Sequence, residues 1–213
     1  MSGTAPGPIE ARGPLVGWVC GYGSLARLVA PMRFSGLEVD PVWGLLRGHV
    51  RDWGVAMANR APESDPKHYV RSDTGRRFAG FVAFLDVVPT TGGDPVRPVG
   101  ALAVPVDARR LAALDAREVN YERHDVTAEF TTVHGAALGP RVWAFRGTAG
   151  ARERARIGAA DGTLVIGASY ARDVEAAFAG RPAAVPSFAA TTQPFAGPEV
   201  DLQVVADPSL LGY

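Results

Sequence analysis

Apolar residues along the chain fall in short runs separated by glycine, proline and polar turns, a pattern that predicts many strands with a few inserted helices. "PLVGWVC" (14–20) reads as a buried strand ending at the Gly-Tyr-Gly turn of "VCGYGSLARL". "LEVDPVWGLLRGHVRDWGVAMA" (37–58) holds two strand-like pieces, with Gly48 marking a bend or bulge between them. "FAGFVAFLDV" (78–87) and "VGALAVPV" (99–106) are apolar enough to be interior strands. "YERHDVTAEFTTV" (121–133) alternates and carries β-branched residues, so it is expected as one strand, and "RVWAF" (141–145) as another. Helical spacing appears later. "DARRLAALDARE" (107–118) has an Asp at the N-cap position, and "SYARDVEAAFAG" (169–180) is bounded by Ser169 and Gly180. "ARERARIGAADG" (151–162) fits either a short helix or a charged loop.

The remaining stretches read as connections. Residues 1–13 form a loose Gly/Pro/Ala lead-in, and 14–213 are expected as one domain, since 213 residues suffice for one good-sized core. "APESDPKHYVRSDTGRR" (61–77) reads as a surface loop, "TTGGDPVRP" (90–98) as a turn, and the chain from Arg181 as an irregular tail over the domain. Strands with helices inserted late predict an α+β fold with a mainly antiparallel sheet.

Composition removes several function classes. Twenty-two basic residues balance 22 acidic ones, so no global field favours nucleic acid or an anionic membrane. The abundance of Ala, Gly, Val, Pro and Arg, with Lys67 the only lysine, reads as the codon usage of a GC-rich bacterium. One cysteine cannot form an internal disulfide. The N-terminal stretch lacks the basic and apolar regions of a signal peptide, and no apolar run approaches the roughly 20 residues of a membrane span. A soluble cytoplasmic protein, monomeric or homodimeric, is expected.

Cofactor chemistry finds little footing. His49, His68, His124 and His134 are scattered and Cys20 has no thiol partner, so neither a metal nor another cofactor is expected. "CGYGSL" matches no phosphate-binding loop, and Ser24 sits in no Gly-x-Ser-x-Gly elbow. Cys20 is either a nucleophile or, more in keeping with its apolar surroundings, a small buried hydrophobe.

Glu118 is the more informative residue. Leu111, Leu114 and Glu118 are related as i, i+3 and i+7, which puts a carboxylate on the apolar face of the 107–118 helix. Such an acid is either a surface residue at a fraying helix end or a partly buried group. In the second case both the helix C-terminus and desolvation favour its protonated form, as a proton donor requires.

"YGSL" (Tyr22–Leu25) after a first strand, followed by "LDAREVNYERHDV" (Leu114–Val126), resembles the gamma-glutamylcyclotransferase-like family. That family includes the AIG2-like proteins and the ChaC glutathione-degrading enzymes. Its pattern is a Tyr-Gly-Ser-Leu/Asn loop, then a Leu-Asp-x-x-Glu segment with a tyrosine soon after; "LLRGHVRDWGVA" (45–56) resembles its second-strand region. The resemblance spans about residues 16–146. It implies a compact, mostly antiparallel, β-barrel-like core with helices packed around it. It also implies that Tyr22, Gly23, Ser24 and Leu25 form the substrate loop, that Glu118 is the acid–base residue, and that Tyr121 takes the place of the following tyrosine. In several members that tyrosine stands one residue further on.

The implied substrate is a γ-glutamyl amine, a γ-glutamyl amino acid or glutathione, cyclised to 5-oxoproline with no cofactor. Two other readings fit the same residues: a non-catalytic module binding a carboxylate ligand, or a specialised γ-glutamyl amide hydrolase or lyase. For the glycines of the loop, the alternatives are close approach of the backbone to a ligand and a tight turn that needs positive φ.

Overall fold

A computed structural model describes residues 9–59, 67–90 and 97–206. It is an α+β structure in which strands of mixed direction carry, among the described residues, three α-helices. The larger sheet has six strands in the spatial order Tyr121–Asp125, Val142–Gly147, Gly17–Gly21, Val99–Val106, Val42–Leu46, Phe130–Thr132. Its pairs are antiparallel except Val142–Gly147 with Gly17–Gly21. A second sheet orders Glu199–Val200, Leu164–Gly167, Phe81–Pro89 and His49–Ala58. Among the described residues these ladders do not close on themselves, so the barrel-like core implied by the resemblance is replaced by open sheets.

The apolar run at 99–106 became a fully enclosed strand: all eight positions of Val99–Val106 are buried. Pro105 is tolerated there because pairing with Val42–Leu46 ends at Ala103, leaving only the Gly17–Gly21 neighbour beside it. Gly48, with φ +66°, makes the expected bend between the strands Val42–Leu46 and His49–Ala58. Leu37–Val39 forms a further strand, so the segment yields three, and the bulge lies between Asp52 and Val55.

Helix α1 (Ala108–Arg117) follows expectation closely. The Asp107 side chain caps it by accepting from the Arg110 amide at 2.7 Å, and Leu111 and Leu114 face the core. Helix α2 (Ala149–Ala160) resolves the ambiguity at 151–162 in favour of a helix, capped by Thr148. Its Ala151, Ala155 and Gly158 face inward; a Cβ on Gly158 would come within 2.8 Å of Phe81. Helix α3 (Ala168–Ala176) starts earlier than expected. Gly167, the last residue of a strand, is its N-cap, so Ser169 lies inside the helix and Gly180 follows a turn beyond it.

Three other expectations are corrected. Residues 121–133 form two strands on opposite edges of the sheet, broken where Asp125 Oδ1 accepts from both the amide and the hydroxyl of Thr127. The predicted 61–77 loop contains the strand Lys67–Arg71. Its partner is Leu202–Ala206, in the tail expected to be irregular. Both segments lack strong periodicity and become strands through each other. Ile9–Glu10, within the lead-in, pairs parallel with Met32–Arg33. Residues 1–8, 61–66 and most of the predicted 90–98 turn lie outside the described residues.

Candidate active site

The strand Gly17–Gly21 delivers Tyr22 into the interior, and a one-turn helix, Ser24–Arg27, reverses the chain. The two glycines have different jobs. A Cβ on Gly21 would meet the Ala26 nitrogen at 2.7 Å and the Leu25 carbonyl carbon at 2.8 Å, so this glycine lets the turn fold back on the strand. Gly23 has a negative φ, −138°, and a Cβ built on it would lie 3.2 Å from Leu85 Cδ1 and 3.8 Å from the Tyr170 hydroxyl. The positive-φ explanation of the loop therefore does not apply. Gly21 is required by packing, and only Gly23 keeps a space open.

That space is a cleft lined by Tyr22, Gly23, Ser24, Leu25, Leu85, Glu118, Tyr121, Phe145 and Tyr170. All six residues singled out in the sequence thus come together, although nearly a hundred positions separate the loop from Glu118. Helix α1 does the positioning. Glu118 is its C-cap, donating its amide to the Leu114 carbonyl at 2.9 Å, and the Tyr121 amide donates to the Glu118 carbonyl at 2.8 Å. The same turn thereby aims both side chains at the loop.

Glu118 is the partly buried acid of the two alternatives, its side chain 18% exposed. Arg117 donates to its Oε1 through Nε at 3.0 Å and also through Nη2. A guanidinium held by its chain neighbour was not legible in the helical spacing, which points residues 117 and 118 in different directions.

Three phenols surround the carboxylate. Tyr22 donates to the Phe145 carbonyl, and Tyr121 donates to the Leu85 carbonyl at 2.8 Å. Burial raises the pKa of all three, Tyr22, Tyr121 and Tyr170, and the nearby Glu118 carboxylate pushes each the same way; a backbone hydrogen bond with Leu85 partly offsets the rise at Tyr170. They remain neutral hydroxyls at physiological pH. Each can orient a ligand, and none serves as a base.

Tyr170, Leu85 and Phe145 were not anticipated. For Tyr170 a signal existed: it stands four residues before the fully buried Val174 on α3 and so shares its inward face. Leu85 and Phe145 carry no chemical signature, and only the strand register puts them in the wall.

No protein-family model and no curated protein matches the chain.

The cleft is small, with about 30 Å³ of free space, room for about one water molecule. A far larger groove of about 560 Å³ opens between Asp52–Gly54, α2 and Gln193–Pro198, and it shares no lining residue with the cleft. Volume alone would favour the groove. The candidate site is placed in the cleft because the loop, the helix-borne acid and three neutral hydroxyls converge there.

Cys20 lies on the same core face as Tyr22 but takes no part in the cleft lining. It is fully buried in the main core, and burial pushes its thiol pKa up to about 12, an effect only partly offset by Arg51. It is the small buried hydrophobe of the two readings.

The glycine geometry gives a direct test. In Gly23→Val the added methyls would occupy the cleft, so affinity for a cleft ligand should fall at least about tenfold while the fold loses about 1–2 kcal/mol. Calorimetry with 5-oxoproline beside a thermal melt reads both quantities. Equal affinity in variant and parent would make the loop structural only.

Proposed function

We propose that the protein cyclises a γ-glutamyl amide to 5-oxoproline, releasing the amine. The observation that carries this reading is the convergence of the Tyr22–Leu25 loop, Glu118 and Tyr121 in one cleft, together with the resemblance of those segments to the gamma-glutamylcyclotransferase-like family. In this reading the substrate is a small γ-glutamyl amine, amino acid or glutathione.

The reaction needs orientation and one proton shuttle. The substrate's α-nitrogen gives a proton to the Glu118 carboxylate and attacks the γ-carbonyl carbon, closing a five-membered ring. The carbon–nitrogen bond to the leaving group then breaks as Glu118 returns the proton to the departing nitrogen. One carboxyl performs both transfers, and no enzyme nucleophile is consumed. Holding the chain folded for ring closure is worth several kcal/mol or more. Both Arg117 contacts fall on Oε1, so Oε2 is the oxygen offered to the substrate. The amides of the loop provide donors for the substrate carboxylate or the developing oxyanion, ahead of the turn's first internal bond from the Ala26 amide to the Gly23 carbonyl.

A γ-glutamyl group needs several times the free space of the cleft. Binding therefore requires the wall to move, and the half-exposed rim at Arg117 and Glu118 is where it has solvent to move into. The same ion pair favours a second reading, a non-catalytic module that binds a carboxylate ligand, because Arg117 brings a cation to the edge of the cleft beside Glu118.

The test is to incubate purified protein with a panel of γ-glutamyl amines, γ-glutamyl amino acids and glutathione, and to look for 5-oxoproline by mass spectrometry. Product from any member supports the enzyme; ligand binding without product supports the binding module. Turnover should survive EDTA and thiol-blocking reagents, as Cys20 is buried and protonated. Loss of turnover in a well-folded Cys20→Ser variant would contradict the nucleophile-free mechanism.

A further inference from the structure

The groove of about 560 Å³ beside α2 takes no part in the proposed reaction, yet its size is that of a small-molecule site. Helix α2 lines it with Ala155 and Ala159, small side chains four residues apart on one face. Asp52 and Trp53 enter it from the bulge in the strand His49–Ala58, and Phe195 from the chain that follows α3. Trp53 meets Tyr170, Phe188 and Phe195 edge-on, with ring centres 6.2, 6.3 and 6.3 Å away. Among the described residues no ring stacks face to face on it. The polar groups of the groove are also incompletely matched. Asp52 stands across the ladder from the buried Asp86, and Asp86 accepts from Arg152 Nε at 2.7 Å. Asp86 therefore brings the carboxylate of Asp52 and the guanidinium of Arg152 together at the groove. Asp52 Oδ1 accepts from the Gly54 amide at 2.9 Å, whereas Oδ2 has no hydrogen bond among the described residues. Arg152 Nη2 is enclosed and has no hydrogen-bond partner there either. Burial and the facing Asp86 raise the pKa of Asp52, against the Gly54 hydrogen bond and Arg152, as expected of a carboxylate short of donors. Arg156, one turn further along α2, is engaged by Glu153, so it is not an uncommitted cation for a phosphate.

We propose that this groove is a binding site, separate from the cleft, for a planar heterocycle that carries a carbonyl beside a ring N–H. The ring stacks on Trp53, the N–H donates to Asp52 Oδ2, and the carbonyl accepts from Arg152, whose side chain is 36% exposed. One ligand edge thereby answers both unmatched polar groups, and both contacts are charge-assisted. The flat face supplies the stacked partner that Trp53 lacks. Other ligand classes fit less well. A carboxylate would be repelled by Asp52 and Asp86, and a purely apolar ligand would cover the two polar groups without pairing them. The proposal does not rest on the cyclotransferase reading, since the groove and the cleft share no lining residue.

A carbonyl beside a ring N–H occurs both in free heterocycles and in oxopurine nucleosides, and 2-quinolone and inosine stand for the two. Calorimetry measures each beside its N-methyl derivative, 1-methyl-2-quinolone or 1-methylinosine, which keeps the ring and the carbonyl and loses the donor. In the parent, at least one of the two should bind, and at least about tenfold more tightly than its N-methyl derivative. Binding of 2-quinolone alone assigns the site to free heterocycles, and binding of inosine assigns it to nucleosides. In Asp52→Ala the N–H and N-methyl compounds should bind about equally. That variant also loses the Gly54 contact, so a second one locates the ligand without touching it. Ala159→Phe places a ring in the groove from an exposed position, and should abolish binding while the melting temperature holds. Three results would each overturn the proposal: no binding of either compound at about 1 mM, equal affinity for the N–H and N-methyl forms in the parent, or undiminished binding in a folded Ala159→Phe.

Discussion

Glu118→Gln should reduce turnover about 100-fold or more while leaving the protein folded. The amide keeps the shape and most of the hydrogen bonding of the carboxylate but cannot carry a proton from the attacking nitrogen to the leaving one. The stability change should be small for two reasons that partly cancel. An anion at the C-terminal end of α1 is unfavourable with respect to the helix dipole, so its removal helps. The contact with Arg117 is weakened, so its removal costs. With the Arg117 side chain 29% and Glu118 18% exposed, the pair contributes no more than about 1 kcal/mol net. Rate and melting point measured on one preparation separate the possibilities. Unchanged turnover would make Glu118 a structural partner of Arg117, and a collapse in stability with activity retained per folded molecule would make the ion pair its main role.

The second large effect is on the fold. Asp86 is completely buried, and its carboxylate accepts from the Gly147 amide at 2.8 Å, its neighbour Val87's amide at 2.8 Å and Arg152 Nε at 2.7 Å. It thereby ties the strand Phe81–Pro89, which contributes Leu85 to the cleft wall, to α2 and to the end of the strand Val142–Gly147. Asp86→Ala strands two buried amides and a guanidinium together. The expected loss is about 3–5 kcal/mol, or roughly 10 °C in melting temperature for a chain of this length. Asp86→Asn keeps an acceptor and should lose less. Thermal unfolding of the two variants beside the parent checks the order, and a melting point for Asp86→Ala within about 2 °C of the parent would show that water replaces the lost acceptor.

These two residues also mark what sequence can and cannot convey. Glu118 was legible because a helix has a fixed period: two leucines and an acid at i, i+3 and i+7 must share a face, and Asp107 fixed where the count begins. Val99–Val106 was legible because a short continuous apolar run punctuated by glycine and proline fits a strand enclosed on both faces. Asp86 gave no signal, because an acid at the end of an apolar strand looks like a solvent-facing terminus. Its three donors come from its own neighbour and from 61 and 66 residues away. The strand Lys67–Arg71 was hidden for a related reason. Its partner lies more than 130 residues later, and neither segment alternates strongly enough to declare itself. The predicted strand 121–133 failed in the opposite direction: alternation and the β-branched residues from Val126 onwards suggested continuity, while the Asp125–Thr127 turn sends the two halves to opposite sheet edges. In the cleft, the residues singled out in the sequence lie together, and the walls, Leu85, Phe145 and Tyr170, waited on the register of strands and the placement of α3.

The most direct test of ring closure at Glu118 is to run the reaction in water enriched in heavy oxygen and weigh the glutamyl product. Intramolecular cyclisation takes no oxygen from solvent, so the account predicts 5-oxoproline at its ordinary mass, with product formation about 100-fold slower in Glu118→Gln. Glutamate carrying one heavy oxygen would mean that water, and not the substrate's own amine, attacks the γ-carbonyl, and would contradict it.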